Sequence, residues 1–308
     1  MNMFDDAIGR TETSEDSIDP VRMAQAAAMF GLGEEGIRHL ARDGAPLPPL
    51  FHLFFTNNPT DATRLSPDGH EILGRFIPDV TTEGPFHRRM WAAGDMRFEG
   101  GITVGEMIRR TSTITGITRK DGSTGPLIFV TVEREITGSG GRVLETRTIV
   151  YREKGSVKGG GEAPDSLPLK GEETLSEKGA WRPDHGQLFR FSSLTWNTHR
   201  IHYDADHCRQ VEGYPDIITH GPFTAMNLAL MATGGLTEAA GDALISGGAG
   251  RMEDRPRRQL SRFRFRGTQA LYVGRRVGLC ANEDFTRLEA RNHQGQQAMT
   301  AEAEFTAG

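Results

Sequence analysis

Residues 221–235 read GPFTAMNLALMATGG, a run that is apolar on every side of a helical wheel, with Pro222 just inside its start and Gly234-Gly235 closing it. Proline suits a first turn, where its missing N–H has no acceptor to serve, and glycine suits the position past the last turn. A helix without a polar stripe must be covered all round. No stretch of the chain approaches the roughly 18 uninterrupted apolar residues of a membrane span, so the cover has to be protein. The sequence that follows supplies it: "FRFRGTQALYVGR" (263–275), "RVGLCANEDF" (276–285), "TRLEARNH" (286–293) and "QAMTAEAEF" (297–305) alternate apolar with polar residues and are split by turn residues, the pattern of antiparallel strands. A buried helix wrapped by a curved antiparallel sheet is the expected unit.

The same order of signals occurs earlier in the chain. Gly84-Pro85-Phe86 echoes Gly221-Pro222-Phe223, and "MRFEGGITVGE" (96–106) echoes 263–275, each reaching a Val-Gly turn. Strand-like runs follow at 107–120, 126–137 and 142–153, divided at Asp121-Gly122 and Gly140-Gly141. The first half lacks an equally long helix after its Gly-Pro-Phe, since "HRRMWAAG" is short and charged. A helical pattern covers Val21 to Ala41, and "PLPPLFHLFF" (46–55) reads as an extended lead-in held open by prolines. Between the halves, 153–173 is rich in Gly, Pro, Ser and Lys without apolar periodicity. The expected organisation is an N-terminal half over 1–152, a linker over 153–173 and a C-terminal half over 174–308. In fold class this is an α+β protein of two curved antiparallel sheets, each wrapping a helix, with the long central helix in the C-terminal half.

With 308 residues, two cores of ordinary size are affordable. A net charge of −5 does not favour nucleic acid or a membrane surface as partner. The two cysteines, Cys208 and Cys280, are too few for a disulfide framework and suit a reducing compartment. The acidic N-terminus lacks the apolar core of an export signal, so a cytoplasmic location is expected.

The chemistry-bearing stretch is "NTHRIHYD" (197–204), placed where a strand-like run gives way to a helix-like one. His199-x-x-His202 lacks the Glu and the distant third ligand of zinc patterns, so no metal is expected. No Gly-x-Ser-x-Gly is present, which leaves general acid–base work, with His202 as the leading base. Asp204 is a candidate N-cap for a short helix through Cys208 and Val211, and alternatively a group that orients His202. His220 directly precedes the apolar helix, whose first N–H groups can receive a developing oxyanion; Pro222 has none, which singles out Gly221. A base beside such a donor suits reactions through an enolate, such as addition of water to an unsaturated thioester.

The stretch "SLTWNTHRIHYDADHCRQVEGYPDIITHGP" (193–222) resembles the MaoC-like hydratases of the hot-dog superfamily. The branch is the one holding mesaconyl-C4-CoA (3-methylfumaryl-CoA) hydratase, itaconyl-CoA hydratase and hydroxyacyl-thioester dehydratase. The resemblance implies a double hot-dog fold and covers nearly the whole chain, "MWAAGDMRFEGGITVGE" (90–106) being the most similar stretch of the first half. The wider family uses Asp-x-Asn-Pro-aliphatic-His, its Asp and His activating water together. Here His202 matches the His and Ile201 the aliphatic residue, while Asn197 replaces Asp, His199 replaces Asn and Arg200 replaces Pro. An amide is no base, so the resemblance implies that Asn197 orients water or substrate while His202 moves the proton. It implies a hydro-lyase acting on an α,β-unsaturated acyl-CoA, with mesaconyl-C4-CoA or itaconyl-CoA preferred. The rival readings are a hot-dog thioesterase and a non-catalytic acyl-CoA-binding or assembly subunit.

No cofactor is expected, CoA being part of the substrate, and the expected partners are that substrate and, in a homodimer, a second copy. Substrate contacts are expected from His199, Arg200, Tyr203, Asp204 and His220. Arg262, Arg264 and Arg266 share one strand face opposite Phe263 and Phe265 and are candidates for the CoA phosphates, as are Arg251, Arg255, Arg257 and Arg258.

Overall fold

The computed structural model describes residues 5–72, 76–77, 88–122, 125–152, 175–235 and 258–306. Among them, ten strands form one antiparallel sheet: β1 (Thr11–Ser17), β2 (Arg88–Gly100), β3 (Met107–Gly122), β4 (Gly125–Thr137), β5 (Gly141–Arg152), β6 (Ser176–Trp181), β7 (Leu260–Gly267), β8 (Val277–Ala281), β9 (Arg287–Arg291) and β10 (Gln297–Phe305). Their order is β1-β3-β4-β5-β2-β7-β10-β9-β8-β6, so strands from the first half fill one side of the sheet and strands from the second half the other. The α-helices are α1 (Pro20–Met29), α2 (Glu34–Leu40), α3 (His185–Leu194) and α4 (Gly221–Thr233). This is the α+β, hot-dog type of architecture that the sequence implies. The first Gly-Pro-Phe, at 84–86, the linker at 153–173 and Arg251, Arg255 and Arg257 lie outside the described residues.

The halves meet where β2 pairs with β7, from Ala93 opposite Arg266 to Arg97 opposite Arg262. Alternation along the two strands sends Met96, Phe263 and Phe265 to the inner face. Gly94 is required there, because a Cβ on it would sit 2.5 Å from the Phe265 ring. On that same face α4 packs against β7, β9 and β10, with every residue from Phe223 to Thr233 buried. Its polar side chains bond back along the helix: Asn227 Nδ2 donates to Phe223 O (2.8 Å) and Thr233 Oγ1 to Ala229 O (3.0 Å). Gly234, in the left-handed region at φ 90°, ends it.

The structure departs from the sequence reading at several elements. Val21 to Ala41 is two helices, because Gly31 takes φ 76° and Gly33 begins the second. The segment 46–55 is not extended throughout; Phe51–Phe54 form a 3₁₀ turn that buries its aromatic rings. The run before Asn197 is α3 rather than a strand, started by a capping box between Asp184 and Gln187. The helix expected through Cys208 and Val211 is a π-helical turn, His207–Glu212. Strands β1 and β6 carry too little apolar alternation to be read in sequence; β1 is an edge strand whose Glu12 pairs with Arg110 of β3 (3.1 Å). Both cysteines are buried and free. No helix among the described residues is long and apolar enough to cross a membrane.

Candidate active site

Two loops, one from each half, are pressed together to make the site. Thr198 Oγ1 donates to Gly69 O (2.6 Å), Arg200 N to Asp68 O (2.8 Å) and Arg200 Nη1 to Pro67 O (3.1 Å). The approach depends on Gly69, which has φ 87°; a Cβ there would lie 2.1 Å from Thr198 O. The junction brings four imidazoles side by side. His70 and His199 have ring centroids 3.7 Å apart, His199 meets His202 edge-on at 5.6 Å, and His202 stacks on His220 at 3.6 Å with 21° between planes.

Each ring is held by a different element. His202, in a 3₁₀ turn at Arg200–His202, has Nδ1 2.8 Å from Ile218 O. A carbonyl oxygen only accepts, so Nδ1 carries the hydrogen and Nε2 keeps its lone pair. Nε2 has no protein partner among the described residues. Burial holds the pKa of His202 down at about 4, which leaves the ring neutral at neutral pH. His220 is the residue from which α4 starts; its Nε2 lies 2.9 Å from Ser192 Oγ on α3, and burial pushes it well below the usual imidazole range. Gly221, the next residue, opens the helix, and its N–H has no intrahelical acceptor.

Asp68 and His70 are functional candidates that sequence reasoning missed. Asp68 accepts from the His70 backbone N–H (3.1 Å), has Oδ2 2.8 Å from His70 Nδ1, and accepts from the Ser66 hydroxyl. Burial alone would favour its protonated form, but the hydrogen bonds from His70 and Ser66 outweigh it and hold the carboxylate ionised. Burial, with Arg89 nearby, puts His70 at about 4. The one local signal was Asp68-Gly69-His70, a turn whose Asp can reach the backbone two residues on. Asp68, His70 and His199 hold donor atoms within 4.8 Å of one another, a spacing a divalent cation could use, although the Asp68–His70 pair is already a complete hydrogen bond.

The remaining sequence candidates divide. Asn197 Oδ1 accepts from His199 N (3.0 Å), so its carbonyl fixes the turn that presents His199. Asp204 caps the π-helical turn through His207 N (2.9 Å) and pairs with Arg200 (2.7 Å); it does not orient His202, a task that falls to Ile218 O. Arg200 is thereby committed to the loop framework. Tyr203 is 51% exposed and donates to Thr198 O. On the outer face of β7, Arg262 forks onto Asp95, and Arg264 pairs with Glu302 (2.7 Å) and Glu304 (3.2 Å). Arg266 has no acidic partner among the described residues. Arg258 donates to Asp284 O and stacks over Phe305.

Comparison with known proteins gives the family and the fold. The family model of hydroxyacyl-thioester dehydratase type 2 matches residues 50–246, a span holding both loops and the start of α4. A mesaconyl-C(4)-CoA hydratase of Chloroflexus aurantiacus is 40% identical over 229 residues, 73% of this chain and 76% of that one. A mitochondrial hydroxyacyl-thioester dehydratase type 2 of Schizosaccharomyces pombe is 24% identical over 206 residues, 59% of this chain and 65% of its own. Among solved structures, a MaoC-like dehydratase of Phytophthora capsici aligns over 100% of both chains with a TM-score of 0.64 at 11% identity. A Mycobacterium tuberculosis protein described as a double hotdog fold aligns over 98% of this chain and 97% of its own, with a TM-score of 0.57 at 11% identity. At such identities the structural likeness speaks for the fold.

Proposed function

The chain belongs to the hydroxyacyl-thioester dehydratase type 2 family and is a hydro-lyase, and from that premise we propose that it adds water reversibly to a branched, dicarboxylic α,β-unsaturated acyl-CoA, mesaconyl-C4-CoA or itaconyl-CoA, with His202 as its acid–base group. The observation that carries the reading is the stacking of His202 on His220. It sets a neutral, tautomerically fixed imidazole against the ring of His220, the residue from which α4 begins and the one before Gly221. The choice of mesaconyl-C4-CoA is supported by the name of the relative that is 40% identical.

In the hydration direction, Nε2 of His202 takes a proton from water as the oxygen attacks the β-carbon. The π-electrons move toward the thioester carbonyl, and the enolate oxygen accepts from Gly221 N–H at the positive end of α4. The imidazolium then returns its proton to the α-carbon, so atoms and charge balance and no cofactor is consumed. His70, oriented by Asp68, buttresses His199, and Asn197 holds the turn at 197–199; these are positioning roles.

The test follows loss of enoyl-thioester absorbance across a panel of unsaturated acyl-CoAs. His202→Gln is expected to lower kcat by about 10²–10⁴ with a small change in KM. Activity unchanged in that variant, or release of free thiol from saturated acyl-CoA by the native protein, refutes the proposal.

A further inference from the structure

The junction between the two halves holds a second constellation, beside the base rather than including it. Asp68 and His70 come from the loop of the first half and His199 from the loop of the second, and each has a donor atom within 4.8 Å of the other two. Oδ2 of Asp68 stands between two imidazole nitrogens, 2.8 Å from Nδ1 of His70 and 3.7 Å from Nε2 of His199. The longer of these is no hydrogen bond, and Nε2 of His199 has no other partner among the described residues. The pattern His199-x-x-His202 lacked a distant third ligand in sequence. Folding brings distant ligands to His199 but leaves His202 out, because its Nδ1 is committed to Ile218 O.

Two imidazole nitrogens and a carboxylate oxygen are the donor set of an open zinc site, which keeps its fourth position for water. Zinc bonds of about 2.0–2.2 Å set tetrahedral ligand atoms about 3.3 Å apart. The observed spacings of 2.8 and 3.7 Å fall on either side of that value, so small side-chain shifts close the set. The main chain under the ligands is already fixed: Arg200 N donates to Asp68 O (2.8 Å), Thr198 Oγ1 to Gly69 O (2.6 Å) and His199 N to Asn197 Oδ1 (3.0 Å). The three side chains keep 10–12% of their surface in contact with solvent, which leaves an ion a way in.

Local charge suits a cation. Arg200 is paired with Asp204 (2.7 Å) and Arg89 is offset by Glu71, so the Asp68 carboxylate remains to meet the ion. The hydrogen bond between Asp68 and His70 is exchanged rather than merely broken. As the ion binds Nδ1 of His70, that nitrogen gives its proton to solvent, and the carboxylate turns from hydrogen-bond acceptor into ligand. Imidazole donors select transition-metal dications over magnesium and calcium, which want oxygen.

We propose that Asp68, His70 and His199 form an inhibitory site for a transition-metal dication of the zinc type, which staples the two halves together and lowers turnover by placing positive charge beside His202. The His199 ring lies 5.6 Å from that of His202. The inhibitory part rests on the hydration reading, in which His202 becomes an imidazolium during the reaction; a fixed dication next to it opposes that charge. The binding part stands on the ligand geometry alone.

The test titrates native protein, Asp68→Asn, His199→Asn and a control, His185→Gln at the exposed start of α3, with Zn²⁺ and with Co²⁺ as a coloured probe of coordination. Calorimetry is expected to show one strong Zn²⁺ site with proton release, Co²⁺ a visible spectrum that Zn²⁺ abolishes, and Tm a rise with Zn²⁺ concentration. Affinity should fall by at least about 10–100-fold in Asp68→Asn and in His199→Asn, with the Tm rise lost, and stay native in His185→Gln. Mg²⁺ and Ca²⁺ should not compete. Hydration of mesaconyl-C4-CoA should drop by about tenfold or more at saturating Zn²⁺ and recover with a chelator, while the residual turnover of Asp68→Asn and His199→Asn ignores zinc. Absence of one-to-one binding, or equal affinity in all four proteins, the mark of ions on surface histidines only, overturns the site. Full turnover at saturating Zn²⁺ overturns the inhibition. Should the native protein hydrate no thioester, the hydration reading fails, and calorimetry and the Co²⁺ spectrum still decide the site.

Discussion

Burial keeps the ring of His202 neutral, and a main-chain oxygen, Ile218 O, rather than a carboxylate fixes the proton on its Nδ1. The sequence pointed to His202 and to the helix that opens after His220, since both lie in one short quoted stretch. Asp68 and His70 were not legible, because their partners lie about 130 residues away and only folding joins them. Gly69 is the residue on which that junction turns. Gly69→Ala combines a left-handed backbone with a Cβ aimed at Thr198 O. It is expected to cost about 1–3 kcal/mol or more in urea unfolding, and to lower kcat as the two loops separate.

At the scale of elements, α4 was readable from its composition alone, and the hairpin strands of both halves from their alternation. α3 was not, because "HGQLFRFSSL" mixes polar and aromatic residues and only its Asp184–Gln187 capping box marks a helix start. The acidic β1 was invisible for a related reason: an edge strand half in water needs no apolar face when Arg109 and Arg110 of its neighbour balance Glu15 and Glu12. The hub among helices is Phe223 of α4, whose ring meets Phe30 (5.6 Å), Trp181 (4.6 Å) and Phe191 (4.8 Å), and so ties α4 to α3 and to the end of α1. Phe223→Ala is expected to destabilise by about 3–5 kcal/mol, measured as a shift in denaturation midpoint at constant slope.

For the molecule as a whole, the buried histidines make stability depend on pH. His52, His70 and His202 are held at about 4 by burial, against 6.5 for an accessible imidazole. Between those values the unfolded chain binds protons that the folded one refuses, so acid favours unfolding. Stability should be full above about pH 6.5 and fall as pH drops toward 4, by ~1.4 kcal/mol per pH unit for each such ring. Chemical denaturation from pH 7 to pH 5 measures the slope, and a flat profile would contradict the burial of these rings. The seam between β2 and β7 carries a different consequence. Among the described residues, five registered residue pairs and the docking at Gly69 bind the halves. Polypeptides 1–152 and 174–308 produced together should therefore copurify as a one-to-one pair with enzymatic turnover, whereas either alone should be inert, because Asp68 and His70 would travel on one piece and His202 on the other.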